Sequence, residues 1–132
     1  MEWEMGLTLS PKQKEFKWKY SKSDGLIITR TFKSGTNKTE FSNGDIDKII
    51  NFIKGKGIVP LANNVEKLSN ATEKEGIGSF IYQNISSDMA NAQAASQLVS
   101  ILYNVGALGY NGAARGMEFW VLEENWKEKL IK

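Results

Sequence analysis

Few residues of this chain are suited to catalysis. The sequence has no histidine and no cysteine, which excludes Ser-His and Cys-His catalysis and metal sites built on imidazole or thiolate. Three pairs of neighbouring carboxylates remain, each near a predicted helix end, where the helix dipole or solvent favours acidic side chains. The pairs are Asp45 with Asp47, Glu73 with Glu75, and Glu123 with Glu124. We therefore expect a protein that is not an enzyme and that has no catalytic residues, no metal site and no cofactor.

Basic residues are concentrated near the N-terminus. Eight lysines or arginines and two acidic residues lie between residues 12 and 38, whereas the whole chain has a formal net charge of +2. A local excess of this kind can bind phosphate backbones, although it can also be a solvated face. Within segment 16–20, aromatic residues alternate with Lys17 and Lys19, which is the period of a strand. We favour an interpretation in which the aromatics are buried; the alternative is a base-stacking platform flanked by lysines, which requires exposed aromatics.

Amide side chains mark the longest predicted helix, at 88–105. Apolar residues recur there at spacings of one, three and four, which predicts one buried stripe. The opposite, polar face then contains Asn91, Gln93, Gln97 and Ser100. Because an amide can donate to and accept from adenine at once, this face suits contacts with base edges. The helix has no cation of its own, and Arg115 is the only one between residues 74 and 127.

The N-terminal part of the chain is predicted to be mainly β-structure. Alternating apolar residues predict an edge strand within 1–13, and turn residues divide 14–41 into a three-stranded antiparallel meander. Segment 42–57 is a predicted helix, because Ser42 and Asp45 can form a capping box before a stripe of isoleucines.

The C-terminal part is predicted to be mainly helical. After an extended link and a short helix at 62–68, a capping box at Thr72 and Glu75 predicts the start of another helix. The helix at 88–105 follows, then a hairpin at 109–122 and a short terminal helix within 123–132.

These elements predict an α+β fold, with an N-terminal meander packed on the helices and hairpin in a single domain, 1–132. We divide it into subregions 1–57, 58–122 and 123–132. No apolar run is long enough to span a bilayer, and the N-terminus lacks the basic start and apolar core of a signal peptide. We therefore expect a cytoplasmic protein with no membrane partner.

The succession of helix, turn, helix and hairpin over residues 72–122 resembles the winged-helix family of helix-turn-helix domains. In that family the helix before the hairpin enters a DNA major groove and the hairpin is the wing. The resemblance implies a DNA partner, with the amide face of 88–105 at base edges and Arg115 near phosphate. Lys17 and Lys19 of the meander would then supply the positive charge that the helix lacks.

A different class of function is also consistent with the sequence. A nearly uncharged helix with small and amide side chains permits close approach to another protein, since charge is depleted at the centre of protein interfaces. The alternative hypothesis is therefore a protein-interaction module. It includes a homodimer and a small adaptor or inhibitor protein of mobile-element origin.

Overall fold

The computed structural model describes residues 3–11 and 13–131, which form an α+β fold, as the sequence predicts. Its strands are β1 (Glu4–Leu7), β2 (Glu15–Ser21), β3 (Gly25–Phe32), β4 (Gly35–Phe41), β5 (Val59–Pro60), β6 (Leu108–Tyr110) and β7 (Glu118–Val121). Its helices are α1 (Asn43–Lys56), α2 (Val65–Ser69), α3 (Ile77–Asn84), α4 (Met89–Gln93), α5 (Ala95–Asn104) and α6 (Trp126–Leu130). No helix of the described residues is long and apolar enough to cross a membrane.

The first sheet is antiparallel, with the strand order β1-β2-β3-β4. Trp18 pairs with Ile28 and Tyr20 with Leu26, and all four side chains are buried on the inward face. The buried interpretation of the aromatics in β2 is therefore confirmed. Lys17 and Lys19 lie on the opposite face, because successive strand residues point to opposite sides.

The predicted edge strand is present as β1, and its apolar side chains face away from the core. Trp3, Met5 and Leu7 are 41%, 59% and 44% exposed. Their partners in β2 lie on the outward face, as the pairing of Met5 with Lys17 shows. The alternation correctly predicts a strand. It does not show that the apolar side chains of this strand face away from the core.

Helix α1 follows the sequence closely. Ser42 Oγ accepts the N–H of Asp45 at 3.0 Å, and the Asp45 carboxylate accepts the N–H of Ser42 at 3.0 Å. These bonds satisfy backbone donors that a helix start leaves unpaired. The isoleucine stripe of α1 is buried, and it comprises Ile46, Ile49, Ile50 and Ile53.

The predicted hairpin consists of β6 and β7, and it belongs to a three-stranded sheet in the order β5-β7-β6. Val59 pairs with Phe119 and Pro60 with Glu118. The segment predicted to be only an extended link, 58–60, therefore contains a strand of this sheet, β5, at Val59–Pro60.

The helix predicted to start at Thr72 starts later, at Ile77. Ser79 Oγ accepts the N–H of Gly76 at 2.8 Å, whereas the Thr72 hydroxyl donates to the carbonyl of Lys67. The reason is steric: a Cβ on Gly78 would lie 2.4 Å from the carbonyl oxygen of Ala62. Only a glycine lets the first turn of α3 approach that backbone so closely, and this packing outweighs the capping pattern.

The helix predicted over 88–105 is divided at Ala94 into α4 and α5. The N–H of Gln97 bonds to the carbonyl of Ala94, a three-residue spacing that tightens the turn. The predicted apolar stripe is confirmed on α5, since Leu98, Ile101 and Leu102 are buried.

One hydrophobic cluster joins residues of both sheets and of α1, α3, α5 and α6. The terminal helix α6 contributes Trp126, whose Nε1–H donates to Asp47 Oδ1 at 2.9 Å. The Trp126 ring also packs edge-on against Tyr20, with a centroid distance of 5.7 Å. The last segment of the chain therefore covers the inward face of the first sheet.

Candidate functional site

The polar face predicted for 88–105 does not exist as one exposed surface. Gln97 is 8% exposed and Ser100 is fully buried, while Gln93 on α4 is exposed and Asn91 is half-buried. The cause is β1, which lies across α5 so that the Ser100 hydroxyl donates to the carbonyl of Leu7. The prediction that Gln97 and Ser100 present their polar groups to base edges of a duplex is therefore wrong.

An open groove of about 1260 Å³ lies where the end of the first sheet meets α4 and α5. Four cationic side chains line it, and among the described residues Glu15 is its only acidic one. The cations are Lys14, Lys17, Arg30 and Lys33. The three lysines are exposed and form no ion pair with a described residue. We call this surface the basic groove, and its charge favours an anionic ligand.

Two aromatic side chains on the lining of the basic groove are accessible. Trp3 is 41% exposed and Phe32 is 48% exposed. Exposed aromatic rings beside cations can stack on nucleic-acid bases, since every base has a π-face. Trp3 already carries a cation near its ring, because Lys19 Nζ lies 4.5 Å from the ring centroid.

The opposite wall of the basic groove is neutral and polar. Asn63 Nδ2 donates to Ser96 Oγ at 2.9 Å and more weakly to the carbonyl of Gln93 at 3.4 Å. These bonds tie the link after β5 to the junction of α4 and α5. The wall is therefore held by side chains distant in sequence.

Arg30 lies in the basic groove and is only 6% exposed. Its Nη2 donates to the carbonyl of Ala90 at 3.2 Å and approaches Thr39 Oγ1 at 3.5 Å, but its Nε has no hydrogen-bond partner. No carboxylate of the described residues pairs with it. Burial lowers the pKa of the guanidinium from its ordinary value, yet arginine stays protonated in proteins. The result is a buried positive charge without a negative partner among these residues.

The structure brings together three of the seven residues that the sequence suggested for nucleic-acid binding. Lys17, Gln93 and Gln97 line the basic groove. The other four do not: Asn91, Ser100, Lys19 and Arg115 lie elsewhere. Arg115 is exposed in the loop between β6 and β7.

Sequence reasoning missed Arg30, although a signal was present. The inward positions of β3 are Leu26, Ile28 and Arg30, so the alternation places a cation in a row of core residues. A charge at such a position is unusual enough to mark a site. It was counted only as part of the basic run.

The described residues contain no group of three carboxylates that could hold a metal ion. Comparison with protein-family models, with curated proteins and with solved structures finds no match for this chain. Its function must therefore be inferred from the residues of the basic groove.

Proposed function

We propose that this protein binds nucleic acid, and that a single strand lies in the basic groove. The observation that carries the proposal is the composition of the groove, whose described residues include four cations, one acidic residue and two accessible aromatic rings. Cations along a groove attract the phosphate backbone, and aromatic side chains beside them stack on bases.

A single strand fits this surface better than a duplex read by a recognition helix. Gln97 and Ser100 of α5 are buried, and Ser100 is bonded to β1, so these two side chains cannot enter a groove of double-stranded DNA. A single strand needs only a narrow track of charge and stacking surfaces, which the lysines, Trp3 and Phe32 provide. The winged-helix resemblance of 72–122 and the cytoplasmic location stay predictions.

A salt titration tests the proposal. A fluorescently labelled oligothymidylate of about 12 nucleotides, within the usual site size, is titrated with protein between about 50 and 200 mM salt. The triple variant Lys14→Ala, Lys17→Ala, Lys33→Ala removes three cations, so the slope of log affinity against log salt should flatten by about 2, at roughly 0.7 per phosphate contact.

The matched control removes three exposed lysines outside the basic groove, Lys22→Ala, Lys48→Ala and Lys67→Ala. It lowers the net charge equally but should leave the slope close to that of the natural protein. Equal flattening in both triple variants, or no salt-dependent binding of the natural protein, would refute the proposal. Trp3→Ala should weaken binding by about 1–3 kcal/mol if its ring stacks on a base.

One observation favours a protein partner as the second candidate function. Trp3, Met5 and Leu7 form an exposed apolar stripe on β1, which is an edge strand of the first sheet. Exposed edges with apolar side chains tend to pair with another chain. If this stripe mediates a homodimer, light scattering should show a dimer that Met5→Lys converts to a monomer.

A further inference from the structure

We infer that Arg30 and Gln97 form a recess of the basic groove that receives a terminal phosphate monoester of the bound strand. The inference rests on the proposed function and names the chemical group that the groove selects. Arg30 supplies the charge, and Gln97, which lines the same groove, supplies an amide.

The guanidinium of Arg30 is fixed in position but only partly hydrogen-bonded, which leaves donors for a ligand. Only Nη2 is anchored, to the carbonyl of Ala90 and to Thr39, which fixes the plane of the guanidinium. The buried Nε has no hydrogen-bond partner among the described residues. A guanidinium presents its N–H groups as a rigid fork that matches the oxygens of phosphate. An unpaired buried charge is costly, so a ligand that supplies the opposite charge gains strongly.

Gln97 is the second unsatisfied group in the lining of the basic groove. It is 8% exposed, and its buried Oε1 has no hydrogen-bond partner. Its terminal torsion has broad, roughly two-fold preferences, so rotation can exchange Oε1 for the Nε2 donor. The amide can then donate to a phosphate oxygen. Of the described residues, only Arg30 and Gln97 have a buried side-chain polar atom without a partner, and both line the basic groove.

The depth of Arg30 favours a terminal phosphate over an internal one. A phosphodiester has a sugar on each side, so it cannot enter a recess in which the receiving side chain is 6% exposed. A terminal monoester enters end-on, with three oxygens available and a charge of about −1.5 to −2 at pH 7. Lys14, Lys17 and Lys33 would then hold the phosphodiesters that follow.

Competition binding tests the inference. Labelled, unphosphorylated oligothymidylate is displaced by unlabelled strands that have a 5′-phosphate, a 3′-phosphate or two hydroxyl ends. The natural protein should prefer one phosphorylated strand by about tenfold, since hydrogen bonds to charged groups contribute about that much. Arg30→Met should bind phosphorylated and unphosphorylated strands with equal affinity, and the loss of this ratio is the readout. Arg115→Met, with the same loss of charge outside the groove, should keep the preference.

Thermal unfolding without ligand gives an independent readout. Replacing a buried, unpaired charge with an apolar residue of similar length should leave the melting temperature of Arg30→Met equal to or above that of the natural protein. A purely structural arginine would show a loss instead. If the methionine variant does not fold, Arg30→Lys keeps the charge, removes the fork and should reduce the preference.

Equal affinity of the natural protein for phosphorylated and unphosphorylated strands overturns the inference but leaves the proposed function in place. An unchanged preference in a folded Arg30 variant also overturns it. If inorganic phosphate at matched ionic strength raises the melting temperature of the natural protein while phosphorylated strands show no advantage, the recess binds free phosphate and not a strand end. If no oligonucleotide binds, the proposed function fails first and the inference fails with it.

Discussion

Two glycine-to-alanine changes inside helices should have opposite effects on stability. Gly55 lies in α1, and a Cβ built there meets nothing within 4 Å. Gly78 lies in the first turn of α3, where a Cβ would lie 2.4 Å from the carbonyl oxygen of Ala62 and 2.6 Å from Cα of Asn63. Since glycine is intrinsically unfavourable in a helix, Gly55→Ala should stabilise the protein by about 0.5 kcal/mol.

Gly78→Ala has the same favourable helix propensity, but its new Cβ must displace the backbone of Ala62 and Asn63. Overpacking in a well-packed interior costs about 1–3 kcal/mol. The new Cβ would lie closer to atoms of the 61–63 link than van der Waals contact allows. The link cannot simply move away, because the N–H of Gly78 bonds to the carbonyl of Leu61 at 2.7 Å. Because backbone must move, we take the upper end of that range, about 3 kcal/mol, and expect a net loss of about 2 kcal/mol after subtracting the helix gain of about 0.5–1 kcal/mol.

Urea unfolding followed by tryptophan fluorescence measures both changes. With a slope of about 2 kcal/mol per molar urea, Gly78→Ala should lower the midpoint by roughly 1 M, and Gly55→Ala should raise it slightly. A midpoint for Gly78→Ala at or above that of the natural protein would show that the contact between α3 and the 61–63 link is not as close as described. The change should also disturb the basic groove, since Asn63 belongs to its polar wall.

Two further outcomes concern the core. Leu98→Ala should lower the free energy of unfolding by about 2–5 kcal/mol in the same urea titration, because Leu98 is fully buried on α5; a loss below 1 kcal/mol would contradict its place in the core. Burial and then the nearby Asp47 carboxylate raise the pKa of the Tyr20 phenol. The stability that neutral Tyr20 contributes is therefore complete below about pH 10, the unfolded value, and is lost as pH rises through the higher folded value. Urea midpoints above pH 10 should fall more in the natural protein than in Tyr20→Phe, and parallel declines would refute this.

The sequence predicts those elements whose signals are local. The four-stranded sheet follows from alternation and turn residues, and α1 follows from the Ser42 capping box and the isoleucine stripe. These signals need no knowledge of the rest of the chain. The hairpin of β6 and β7 is predicted for the same reason.

The misses arise where distant segments decide the outcome. Ser100 is polar and was assigned to an exposed face, but its exposure depends on β1, which is 93 residues away at the bonded atom. Thr72 has a good capping pattern, but the helix starts later, where Gly78 permits close approach of α3 to the backbone of Ala62. The lack of a carboxylate partner for Arg30 among the described residues also cannot be read from its sequence neighbours, because it depends on which distant residues the fold places beside it.

The bond between Trp126 and Asp47 has a consequence for the newly synthesised chain. The two residues are separated by 79 positions, and ribosomes add about 5–20 residues per second. Trp126, whose ring covers Tyr20, is therefore added roughly 4–16 seconds after Asp47. During that interval Trp126 does not yet pack on the aromatic face of the first sheet. A stalled ribosome would therefore leave this apolar face exposed, where chaperones can bind it.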